Sequence, residues 1–189
     1  FYLVPFAEPS TVRILFGDDS ITTHEAAMAK IIEQIKRNLD ETKRNIIVAH
    51  AFITKDGMPE PNTSDSERKL TIGGTECISS ALFEPFSYTA LGHLHQAHFV
   101  ANETIQYSGS PLKYSESEVT HKKGFFIVDL AQDGTVTLEK KLLTPKREMR
   151  IVKGVLDDIL QHAKSDDYVF VKLDDEGYVK GAAELVRTV

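Results

Sequence analysis

The segment "YTALGHLHQAHFV", residues 88–100, places His93, His95 and His98 within six positions, directly after an apolar run. Imidazole is the commonest metal ligand among side chains and titrates near neutrality, so the cluster points to metal binding or proton transfer. In extended backbone, residues two apart project to the same side. His93 and His95 can therefore face one site while Leu94 turns into the core, and Gly92 lets the chain turn at the strand end. His98, three positions beyond His95, falls on the opposite side and reads as structural. A further histidine, His50, closes the apolar run "NIIVAH" at the end of what reads as another buried strand.

Each of these histidines also fits a plainer role as a hydrogen-bonded residue beside a core strand, because Gly-His-x-His alone is a weak signal. Three imidazoles would suit a zinc site with an open water position. Against that, no Asp or Glu near the cluster stands out as support for such a site. His24, His121 and His162 read as surface residues of helices or loops. "FGDD", residues 16–19, superficially suggests a Gly-Asp metal motif, but it lacks a carboxylate three positions after Asp18 and reads as a loop. There is no phosphate loop, no Gly-x-Ser-x-Gly elbow and no Cys-His dyad.

The elements that must position these residues follow from pattern. "FYLVPF" reads as a strand, and "VRILF" is a second short apolar run after Pro5 and Pro9. Thr22 and Glu25 have capping-box spacing, and Met28, Ile31, Ile32, Ile35 and Leu39 form one helical stripe that packs against a sheet. Residues 54–74 read as a long polar loop, followed by a short helix at "TECISSALF" and the strand "YTALG". "HFVAN" and "TIQYSGSP" read as strands divided by a turn at Asn102. "GFFIVDL" and "TVTLEKKLL" flank a hairpin turn at Asp133-Gly134. Pro145 marks a boundary, after which a strand, helix, strand, helix succession reads as the start of a second small domain.

The chain has 189 residues, 41% of them hydrophobic, which suits one domain plus part of another. One cysteine, Cys77, excludes an internal disulfide and argues for a reducing, cytoplasmic setting. No apolar run approaches the length of a membrane span, and no export signal is visible. The net charge of -6 argues against nucleic-acid binding over the whole surface, although residues 110–153 hold nine basic against six acidic side chains. The start at Phe1, inside an apparent strand, and the abrupt end at Val189 suggest a piece of a longer protein, whose sheet would then keep an uncovered apolar face.

Taken in order, "IIVAHAFI", "SDSERKLTIGGTE", "LFEPFSYTALGHLHQAHFV", "ETIQYSGSPLKYSESE" and "HKKGFFIVDL" resemble the SbcD family of nuclease subunits, within the calcineurin-like metallophosphoesterases. The resemblance implies an α+β fold: the C-terminal half of a phosphoesterase β-sandwich flanked by helices over residues 1–144, and the start of a small α/β DNA-capping domain over 145–189. It implies a dinuclear site, usually manganese with magnesium possible, in which His50 and His93 share one metal and His95 serves the other. It also points to Arg68, Lys113 and Tyr114 as DNA contacts. Its partners would be DNA and an SbcC-like ATPase, with the subunit a homodimer inside a heterotetramer. The family's first three motifs, Asp-x-His, Gly-Asp-x-x-Asp and Gly-Asn-His-Asp/Glu, which carry the bridging aspartate and a catalytic histidine, do not occur here, so this chain alone is expected to be inactive. Glu116 stands where the family commonly has an aromatic. The alternatives are a phosphoesterase acting on small phosphoesters and a catalytically inert interaction module.

Overall fold

A computed structural model describes residues 1–57 and 77–187, so Arg68 and most of the long loop lie outside the described residues. The chain divides into two units, residues 1–111 with 122–143, and residues 112–121 with 144–189. The segment 112–121, which precedes Pro145 in sequence, thus belongs with the second unit.

In the first unit the strands β1 (Tyr2–Val4), β2 (Ile46–His50), β5 (Tyr88–Gly92), β7 (Asn102–Tyr107) and β6 (His98–Val100) form one sheet in that spatial order. β1, β2, β5 and β7 run parallel, and β6 closes the edge antiparallel to β7. Parallel strands need crossovers, and the helices α1 (Pro9–Phe16) and α2 (His24–Lys36) supply the first, between β1 and β2. Met28 and Ile32 of α2 bury against Val4, Ile47, Ala49, Leu91, Ile105 and Tyr107, which register puts on one face of the sheet. The stripe read from the sequence is this contact.

On the opposite face, Leu3, Val48, Ala90 and Gln106 lie in register and line an open groove of about 640 Å³ together with Phe126 and Val128. Leu3 is 76% exposed and Val48 39%. Phe126 and Val128 come from β8 (Gly124–Leu130), which pairs antiparallel with β9 (Val136–Leu142) through the Asp133-Gly134 turn. The short strands β3 (Ile53–Thr54) and β4 (Ile78–Ser79) pair in parallel. The second unit holds β10 (Met149–Gly154) and β11 (Tyr168–Leu173), a parallel pair, with the short helices α3 (Leu156–Ile159) and α4 (Ala182–Val186). The whole is a mixed α/β structure with several sheets. No described helix is long and apolar enough to cross a membrane.

Several local expectations are corrected. "VRILF" is helical, because Pro9 at the helix start gives up no needed donor and Gly17, at φ 61°, ends the helix in the left-handed region. The cap of α2 is Thr23 rather than Thr22, its hydroxyl accepting from Ala26 N–H at 3.1 Å. Glu25 stays in the first turn of α2, but its carboxylate makes no local cap and accepts instead from Ser79 N–H at 2.7 Å, which ties α2 to β4. The described part of "TECISSALF", residues 77–83, forms β4 and one 3-10 turn, Ser80–Phe83, instead of a helix. The turn between β6 and β7 sits at Ala101, φ 61°, one residue before Asn102. The two C-terminal helices are far shorter than their apolar patterns suggest, and α4 begins only after Gly181 at φ 70°.

Candidate metal centre

Two parallel strands set the site. β2 and β5 lie side by side with His50 opposite Gly92, so both chains reach the sheet's end together. A side chain at Gly92 would strike the His50 ring, since a Cβ there would lie 2.9 Å from His50 Nδ1. Glycine is needed here for a close approach, because it leaves room for an imidazole to lie over the neighbouring strand.

His93 follows at φ 114°, a conformation that costs a non-glycine residue of order 1–3 kcal/mol and persists only where its surroundings enforce it. The extended geometry expected for His93–His95 is therefore absent: the chain bends after Gly92, while Leu94 is still driven into the core at 3% exposure. The bend brings the His93 ring to 5.5 Å from the His50 ring, nearly perpendicular at 87°. Phe6 stands edge-on to His50 at 6.4 Å and Phe52 tilts against His93 at 5.9 Å, so the pair has an apolar wall on each side. Phe52 is itself held by its neighbours. The Tyr107 hydroxyl, fully buried, donates to Ala51 O at 2.8 Å and accepts from Ile53 N–H at 2.6 Å, bracketing Phe52 between two hydrogen bonds.

With metal–nitrogen bonds of about 2 Å, two imidazoles on one ion hold their ring centres roughly 5 Å apart, and the His50–His93 spacing fits that. Among the described residues no three His, Cys, Asp or Glu stand close enough to hold a metal ion, so His95 is not gathered with the other two into one set. His50 and His93 could together offer two imidazole donors to one ion.

The remaining candidates fall elsewhere. His98 stacks on Tyr107 at 5.0 Å and its Nδ1 lies 2.9 Å from Gln96 O, a structural arrangement. His24 is buried at 9% exposure, against the expectation of a surface residue: the first turn of α2 directs it into a small cavity with Phe6, Met28, His50 and Phe52, 4.0 Å from Glu8. The "FGDD" segment is a turn, with Asp18 accepting from Ser20 N–H at 3.1 Å and pairing with Lys30 at 3.3 Å. Those contacts hold its carboxyl below the usual aspartate range, the Ser20 hydroxyl contributing most. In the second unit Lys113 pairs with Glu148 at 2.6 Å with its side chain 13% exposed, Tyr114 is 55% exposed, and Glu116 pairs with Lys172. Sequence reasoning passed over Phe52 and Tyr107, which carry no metal-binding chemistry. Phe52 lies two residues after His50 in the sequence, whereas nothing in the sequence ties Tyr107 to the histidines.

No family model matches this chain. The SbcD subunit of the SbcCD nuclease from Staphylococcus epidermidis (strain ATCC 12228 / FDA PCI 1200) is 36% identical over 183 residues, which is 95% of this chain and 48% of that protein. The chain thus spans about half the length of the curated relative it matches. Over nearly its whole length the chain is similar to the SbcD subunit of the SbcCD nuclease.

Proposed function

We propose that this chain is part of the nuclease subunit of an SbcCD-like complex, hydrolysing phosphodiester bonds in DNA repair and recombination as a double-strand exonuclease and hairpin endonuclease. The observation that carries the reading is the His50–His93 pair at the ends of β2 and β5, set over Gly92 and built on a strained His93 backbone. Backbone strain gathers at functional sites because stability alone does not favour it. Residues 1–144 would be the C-terminal half of a phosphoesterase sandwich and 145–189 the beginning of a capping domain.

His50 and His93 would hold one ion and His95 the other, with bridging carboxylates supplied by a preceding part of the protein. Manganese suits a mixed imidazole and carboxylate set, and magnesium is an alternative. A pair of such ions activates water and stabilises charge on the phosphoryl oxygens during in-line displacement. The chain's own part is positional: Gly92 leaves space for the His50 ring, Phe6 and Phe52 restrict the rings, and Leu94 anchors the loop between His93 and His95. The partners would be DNA and an SbcC-like ATPase in a cytoplasmic assembly, with the subunit dimeric.

The test replaces His93 with Ala in the full-length protein. Manganese-dependent cleavage of linear duplex DNA should be abolished with the fold intact. Undiminished cleavage would refute the reading, and preferential turnover of a small chromogenic diester by the unmodified protein would favour a small-phosphoester enzyme instead.

A further inference from the structure

The third histidine is secured from behind by a lysine. Lys123, just before β8, is only 9% exposed, and its Nζ donates to the His95 carbonyl at 3.0 Å and to Ser110 Oγ at 2.8 Å. Ser110 N–H donates to the same carbonyl at 3.1 Å. Between them, Gly109 at φ 75° lets the 108–110 chain lie directly against the histidine loop: a Cβ there would stand 2.9 Å from Ala97 N and 3.0 Å from His95 O. Burying an ammonium is costly unless its protons are used, and an apolar side chain would fill the same space without that cost. Two of the hydrogen bonds that Lys123 donates go to this segment, one of them to the main chain of a proposed ligand.

We propose that Lys123 is a positioning residue for the metal ion served by His95, clamping the His95 carbonyl and so fixing the backbone from which the imidazole projects. Leu94, buried at 3%, fixes the residue before it, and the Lys123–Ser110 clamp fixes its carbonyl, so the His95 backbone is held at both ends. The placement of His50 and His93 rests instead on β2, Gly92 and Phe52. The clamp therefore acts on one ion and not on both. The inference rests on the proposed ligand role of His95.

The experiment titrates manganese(II) into the full-length protein by calorimetry, comparing Lys123→Met, Lys123→Arg and Ser110→Ala with His95→Ala and His93→Ala, which identify the two ions. Lys123→Met is expected to weaken the ion lost in His95→Ala by about 10–100-fold, the usual effect of removing a group that orients a ligand. It should leave the ion lost in His93→Ala within about threefold, and Lys123→Arg should recover most of the loss. A purely structural lysine would weaken both ions alike or neither, and either result overturns the proposal. If Lys123→Met fails to fold, Lys123→Gln, which keeps a polar end but withdraws the ammonium, decides: a loss confined to the His95 ion supports the clamp, and unchanged binding refutes it. His95→Ala leaving both ions in place would remove the ligand reading and the clamp with it, whereas a sensitive His95→Ala beside a silent Lys123→Met would remove the clamp alone.

Discussion

Replacing Gly92 with Ala tests whether the imidazole pair is set by steric space on β5. Gly92 has an ordinary backbone conformation and lies in a strand, so alanine is tolerated by the main chain and gains roughly 0.5–1 kcal/mol from reduced unfolded-state freedom. Its Cβ, however, would lie 2.9 Å from His50 Nδ1, 3.6 Å from Cε1 and 3.8 Å from Cγ, and the first contact must be relieved. The His50 side chain is exposed and can rotate, at about 0.5–1.5 kcal/mol for leaving its preferred rotamer. The two terms nearly cancel, so stability should change by less than about 1 kcal/mol, a melting shift of only a few degrees. The site should respond far more strongly, because a displacement on the order of 1 Å at a reacting centre costs about 100-fold. The assay pairs thermal unfolding with manganese calorimetry on the full-length protein and with imidazole NMR on this chain. Native His50 ring shifts together with native manganese affinity would refute the reasoning. A loss of more than about 3 kcal/mol would show that the strand gives way rather than the ring.

Two further outcomes are expected. Tyr107→Phe removes both the donor to Ala51 O and the acceptor for Ile53 N–H in a fully buried position, so unfolding by urea should show a loss of about 1–3 kcal/mol, and a loss under about 0.5 kcal/mol would contradict the bracketing role given to the hydroxyl. Lys140 has its pKa lowered from the usual lysine value, first by burial and then by Lys123 and Lys122. The unfolded chain thus holds that proton to higher pH than the folded one. Stability gains from this group as pH rises between the two values, and the full penalty is present below both. Lys140 is exposed, so solvent screening keeps the effect small, and Lys140→Gln should be only slightly more stable than the unmodified chain at neutral pH, with the difference shrinking toward about pH 10; a difference that grows with pH would be inconsistent with this.

How legible these features were depends on whether they are periodic. β2, β5 and β8 appear in the sequence as uninterrupted or alternating apolar runs, and α2 as a stripe, because burial on one face imposes a fixed spacing. "VRILF" misleads since four apolar residues in five fit a strand and a buried helix turn equally, and Pro9 with Gly17 decides between them. Glu25 misleads for a different reason. Its spacing from Thr22 fits a local cap, but a backbone donor 54 residues away, Ser79 N–H, competes for the carboxylate and takes it. His24 could not be placed without knowing how α1 and α2 turn between β1 and β2.

The histidines proposed as ligands stand out in the sequence, while their geometry is hidden in it. Gly-His-x-His, read as a strand continuing past Gly92, would place His93 and His95 side by side. The chain instead bends at His93, φ 114°, and exchanges that pairing for one between His93 and His50, 43 residues apart in sequence. Two strand ends in register, with a glycine on one opposite a histidine on the other, are what make the exchange possible. The same bend leaves His95 dependent on a separate support, and Lys123 with Ser110 occupies that place. A site divided in this way predicts that substitutions will sort by ion: those at Gly92, Phe52 and Tyr107 should act through the His50–His93 pair, and those at Lys123 and Ser110 through His95.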